Sequence, residues 1–246
     1  MTTHLRRAAI SALVILGVLL GGCASWSSSN HDQQSADAYT ELGMGYLAKG
    51  QADKAHTALS KALAKRSDDA AALHGMALLE QREGNAQASA EYYQRTLSAL
   101  ANVKSASDST AVSLPQVQNN YASLLFEQGD APGACAQLAQ AAEDTHYSGR
   151  AGVLVNLSQC RLMTGDKDSA RQALAEAQRL APHQPTVIIA VAYQKLEDGD
   201  IAGSRAYLTR YQQLAGDGSR EAQLLDAALA RKEQPTSASD TQPHNH

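Results

Sequence analysis

From residue 36 to residue 233, apolar side chains recur at three- and four-residue spacing, the pattern of helices with one buried stripe. The stripes break at Gly50, Gly84, Gly129, Gly165 and Gly199, each predicted to take the left-handed conformation that ends a helix. Around every one of these glycines the same positions return. Seven residues before stand Gly43, Ala77, Ala122, Ser158 and Ala192; five after stand Ala55, Ser89, Ala134, Ala170 and Ser204; nine after stand Leu59, Tyr93, Leu138, Leu174 and Leu208. The gaps between glycines are 34, 45, 36 and 34 residues, so a 34-residue unit recurs with insertions of 11 and 2. Each unit predicts two antiparallel helices. Small residues on their facing sides let the backbones approach, and the bulky residue interlocks with the next unit. Asn85, Asp130, Asp166 and Asp200 follow four of the glycines and are predicted to cap the second helix. No single pair buries its apolar face alone, so stability requires stacking.

The period and the small/large pattern resemble the tetratricopeptide repeat. The unit 36–69 matches best, with Tyr39, Leu42, Gly43, Tyr46, Ala55, Leu59 and Ala62 in the signature places, and Pro182 sits where the fourth unit should end. The resemblance implies an all-α, right-handed α-solenoid of about five repeats: 36–69, 70–103, 115–148, 151–184 and 185–218. A capping helix is predicted over 219–233, with Leu224, Leu225, Ala228 and Leu229 on one face. Glu80, Arg161 and Lys195 depart from the pattern, standing where a large apolar residue is usual. The longer insertion falls in a loop at 102–114, either a plain surface connection or a partner-specific contact. Residues 234–246 are predicted to be a disordered tail.

At the other end, Arg6 and Arg7 precede an apolar run from Ala8 to Leu20, too short for a comfortable membrane span and typical of a signal peptide over residues 1–22. The run ends in Leu20-Gly21-Gly22-Cys23, which resembles a bacterial lipobox. That resemblance implies cleavage before Cys23 and acyl chains on its sulfur, each buried methylene contributing about 0.8 kcal/mol of membrane affinity. Ala24 stands where an inner-membrane retention signal would usually place Asp, which implies the inner leaflet of the outer membrane. Residues 23–35 are predicted to be a flexible, Ser/Asn/Gln-rich tether carrying Trp26.

Composition narrows the function. The chain is 43% hydrophobic but only 4% aromatic, which suits helices packed through small side chains. Its charge of −4 becomes −6 once the leader is removed, and no basic cluster offers itself to nucleic acid. His4, His31, His56, His74, His146, His183, His244 and His246 are scattered and form no zinc-type pair. No nucleophile elbow or phosphate-binding loop is present either, so no catalytic site, metal, cofactor or small-molecule substrate is predicted. Cys135 and Cys160 remain after acylation of Cys23, on helices expected to be neighbours. They form either a structural disulfide in the oxidising periplasm or two buried thiols.

A tetratricopeptide solenoid binds protein segments on its concave face, toward which positions 2, 5, 9 and 12 of each first helix usually point. Here the candidates are Thr40, Met44 and Leu47; His74 and Leu78; Asn119, Ser123 and Phe126; Val155, Gln159 and Leu162; and Ile189, Tyr193 and Leu196. The lining is mostly apolar and suits an amphipathic helix or extended apolar segment. Several of these side chains are equally consistent with core packing.

Lipobox, tetratricopeptide array and four stretches together resemble one family, the type IV pilus biogenesis/stability lipoproteins (PilF or PilW), pilotins of the pilus secretin. The stretches are Leu20 to Cys23; Tyr39 to Leu47 leading to Gly50; Asn119-Asn120-Tyr121; and Asn156 to Cys160. Ala122 and Phe126 stand where the family more often has Gly and Cys. The resemblance implies an outer-membrane lipoprotein that helps the secretin subunit localise and multimerise, with the first repeat making the main contact. Two other roles keep the lipobox and solenoid: a scaffold of outer-membrane protein assembly, and an adaptor recruiting cell-wall hydrolases. Neither implies the Asn119-Asn120-Tyr121 opening.

Overall fold

The computed structural model describes residues 32–102, 112–216 and 218–233. The leader, Cys23, Trp26, most of the 102–114 loop and the 234–246 tail with His244 and His246 lie outside the described residues. Among the described residues there are eleven helices and no strand. They are α1 (32–48), α2 (Ala52–Lys65), α3 (Ala70–Arg82), α4 (Ala86–Ala101), α5 (Leu114–Glu127), α6 (Ala131–Glu143), α7 (Arg150–Met163), α8 (Lys167–Leu180), α9 (Pro185–Glu197), α10 (Ile201–Ala215) and α11 (Arg220–Glu233). Five helix pairs plus a final helix match the five repeats and cap predicted from the glycine spacing. One boundary moves: residues 32–35, expected in the tether, form the first turn of α1, where Asp32 pairs with Lys65 at 2.9 Å.

All five register glycines have positive φ, between 67° and 87°. At the turn they form, the amide five residues on from Tyr46, Glu80, Arg161 and Lys195 donates back to that residue's carbonyl at 2.8–2.9 Å, satisfying a helix-end acceptor. This geometry explains the departures from the repeat pattern. Glu80 accepts from the Asn85 amide (2.9 Å), Arg161 donates to the Ser169 carbonyl (3.1 Å), and Lys195 meets Asp200 (2.7 Å). Each polar side chain folds over the turn of its own repeat instead of entering the core. Asp130, Asp166 and Asp200 cap their helices by accepting from Gly133, Ser169 and Gly203 amides. Asn85 does not, contrary to the expectation, because its side chain is turned toward Glu80.

The chain divides into two compact units, one up to Gln128 and one from Gly129 onward. In the first, Leu47, Ala55, Leu59, Ala72, Met76 and Leu79 form a core. Gly43 is required there, since a Cβ would lie 2.6 Å from Leu59 Cγ. In the second, Ile188, Ala192, Leu208 and Tyr211 pack with Ala222, Leu225 and Leu229 of α11. The cap therefore buries a face one step rotated from the expected one, leaving Leu224 54% exposed. Cys135 on α6 and Cys160 on α7 are bridged, with their Cα atoms 5.6 Å apart.

Candidate protein-binding groove

In the first unit, α1 is fixed to α3 by a buried polar knot. Asp69 caps α3 by accepting from the Ala71 and Ala72 amides, and its other oxygen accepts from Thr40 (3.1 Å) and Arg66 (2.5 Å). A carboxylate this buried is sustained only by such a set of donors. Thr40 is thereby a structural residue, 7% exposed. Leu47 is also core, at 4%, with its carbonyl held by Arg82. His74 is buried at 2%. These three do not offer side chains to a partner. Met44, Leu78, Asn119 and Phe126 are half-buried and Ser123 is exposed, so the accessible part of the predicted set in this unit is a short row of apolar side chains with polar neighbours. Gly75, beside Met44 and Leu59, keeps the floor of the row low, since a Cβ there would meet the Met44 sulfur at 2.9 Å.

In the second unit, Val155 and Ile189 are mostly buried, while Leu162, Tyr193 and Leu196 are half-buried and Gln159 is exposed. Val155, Gln159, Leu162 and Tyr193 converge with Leu174 on a cavity of about 270 Å³ between α7, α8 and α9. That volume accepts one or two large apolar side chains. Its rim carries Lys167, Arg171, Glu197 and Asp198, which the sequence reading missed. Arg171 meets Asp198 at 2.6 Å, tying the fourth repeat to the fifth, and this pair raises the Arg171 pKa. The available signal was spacing: bonds from a second helix to residues 27–29 positions away recur as Arg66–Asp37, Arg171–Asp198 and Gln178–Tyr207. Among the described residues, no group of three or more His, Cys, Asp or Glu is placed to hold a metal, and no helix is long and apolar enough to cross a membrane.

No family model matches the chain. Over 231 residues it is 30% identical to the type IV pilus assembly protein PilF of Pseudomonas aeruginosa, spanning 92% of this chain and 86% of that one. The chain belongs to the PilF family. Among solved structures, Pseudomonas aeruginosa PilF superposes with a TM-score of 0.69 at 28% identity, covering 82% of this chain and 85% of that one. PilW, a widely conserved type IV pilus biogenesis factor, superposes with a TM-score of 0.67 at 20% identity over 81% and 86%. YrrB, a tetratricopeptide protein with an unusual peptide-binding site, shares the fold at 14% identity and a TM-score of 0.57, over 85% and 97%.

In this PilF-family protein, the Asn119-Asn120-Tyr121 triplet has a structural reason. The Asn120 amide donates to His74 Nε2 at 3.0 Å, which fixes the neutral ring with its proton on Nδ1. Tyr121 stacks on Tyr93 with ring centroids 5.3 Å apart, and its hydroxyl accepts from Gln94 at 3.3 Å. Burial lowers the His74 pKa from 6.5 to about 4. Two consecutive residues of α5 thus clamp α3 and α4 and position the half-buried Asn119 beside them.

Proposed function

We propose that this PilF-family protein is an outer-membrane lipoprotein, acylated at Cys23, that holds the subunit of the type IV pilus secretin and promotes its multimerisation. One observation supports the reading most: the first helices of a tetratricopeptide array present half-buried apolar side chains in the first unit (Met44, Leu78, Phe126), and in the second Val155, Leu162 and Tyr193 line an open cavity with a charged rim. Such a surface takes apolar side chains of an extended or helical segment. The lipobox supplies the second half of the mechanism. Acyl chains keep the groove at the membrane, so a bound subunit is concentrated where the channel assembles. The chain's own residues act by binding and positioning only; no chemistry is required of them. In the first repeat Met44 is accessible to such a segment, whereas Leu47 belongs to the core. Deleting the gene and assaying the outer-membrane fraction for heat-stable secretin multimers tests the proposal; their normal formation would refute it.

A further inference from the structure

Among the described residues no repeat precedes the first, and its leading face leaves a large apolar side chain exposed. Leu42 is 46% exposed. Its counterparts in the later repeats, Met76, Tyr121, Leu157 and Val191, are 2–8% exposed, on helices that each pack against the second helix of the preceding repeat. Tyr39, Leu42 and Tyr46 fall on one flank of α1 at spacings of three and four. Alongside runs a line of lysines on α2. Lys54 lies over the Tyr46 ring at 5.6 Å and Lys61 over the Tyr39 ring at 5.5 Å; Lys65 continues the line and meets Asp32. Asp37 and Glu41 fall on the opposite flank of α1, and Asp37 is occupied by Arg66. On the last repeat, by contrast, α11 packs its Ala222, Leu225 and Leu229 against α9 and α10.

We propose that this end face lies on an anionic phospholipid surface. Two observations select that occupant. The first is charge: exposed lysines framing tyrosines and a leucine form the combination that settles at a negatively charged lipid–water interface, with ammonium groups among phosphates and rings at headgroup level. The second is reach. Eight residues lie between Cys23 and Asp32, so the chain from one to the other spans at most about 30 Å. An acylated Cys23 therefore holds this face, and no other repeat to the same degree, close to the bilayer. The inference rests on the anchor proposed above and deepens it, since the face would orient the groove flank bearing Met44 away from the lipid it sits on.

The test imposes the tether independently of acylation. The mature chain from residue 24, with a hexahistidine tag in place of Cys23, is attached to vesicles of phosphatidylethanolamine and phosphatidylglycerol that contain nickel-chelating and spin-labelled lipid. A fluorophore is placed at Ala38→Cys, on the exposed side of α1, or at Gln87→Cys on α4 as a control. The spin-labelled lipid is expected to quench the reporter at position 38 and not that at 87. In Lys54→Gln and Lys61→Gln variants, the ratio of apposed to free protein should fall about fivefold for each lysine neutralised. Leu42→Glu should abolish the quenching with an unchanged circular dichroism melt, since Leu42 is outside the core. An unquenched reporter at 38, equal quenching on phosphatidylcholine vesicles or in the lysine variants, or shielding of position 38 only when the secretin subunit is added would overturn the proposal. The last result would assign the face to protein. Because the tag supplies the tether, these outcomes are independent of whether Cys23 is acylated, which the mass of the mature chain reports separately.

Discussion

The hydroxyl of Ser89 donates to the carbonyl of Ala77 at 2.8 Å, joining the two small positions at which the helices of the second repeat touch. Ser204 and Ala192 repeat the contact in the fifth. Ser89 is completely buried, so its size is limited by the helix facing it. Ser89→Ala should cost about 1 kcal/mol through the lost hydrogen bond, and Ser89→Leu about 3 kcal/mol through overpacking. Urea unfolding of the two variants checks the ranking; equal costs would contradict it.

Two glycines of α1 make opposite predictions. Gly43→Ala drives a methyl group into Leu59, which is wholly buried, and should destabilise by about 1–3 kcal/mol. Gly45 has nothing within 4 Å of its Cβ position. Gly45→Ala should therefore stabilise by about 0.5–1 kcal/mol by restricting the unfolded chain. Thermal melts that move in the same direction for both would contradict the packing described for the first repeat.

The bridge between Cys135 and Cys160 closes a loop with a sequence separation of 25 residues and ties α6 to α7. Reduction, or Cys160→Ser, should lower stability by about 3 kcal/mol. The measurement is the urea midpoint with and without reductant, and a wild-type midpoint insensitive to reductant would contradict the constraint.

Protonation of His74 opposes folding. Its pKa is about 4 in the folded protein and near 6.5 in the unfolded chain, because burial disfavours the charged ring. Between those values the unfolded state binds the extra proton. The contribution is therefore fully present above pH 6.5 and is lost as pH falls toward 4, by about 3 kcal/mol in all. In His74→Gln, which keeps an acceptor for Asn120, the loss of unfolding free energy between pH 7 and pH 4.5, measured by urea titration, should be smaller than in the wild type by about 2 kcal/mol. An unchanged loss would show that His74 does not titrate in this window.

The repeat fold was legible in the sequence because its rules are local. A left-handed glycine announces each turn, an Asp after three of them caps the next helix, and small positions at fixed offsets announce each helix contact. The lining of the groove was less legible, because neighbours in space decide burial. Thr40 looks like a surface position until Asp69 and Arg66 are seen to close over it, and His74 until Asn120 reaches it across 46 residues. Leu47, Val155 and Ile189 are core for the same reason. The roles of Glu80, Arg161 and Lys195 were hidden because a side chain folded over a turn leaves no periodic trace.

The central claim is that the accessible apolar positions of the first helices hold the secretin subunit. Met44 is the position that tests it, because it is half-buried on α1 and outside the Asp69 knot. In a deletion strain complemented with Met44→Glu, the protein should remain folded and at wild-type abundance, while heat-stable secretin multimers disappear from the outer-membrane fraction. Multimers at the wild-type level, with the variant present in normal amount, would contradict the account.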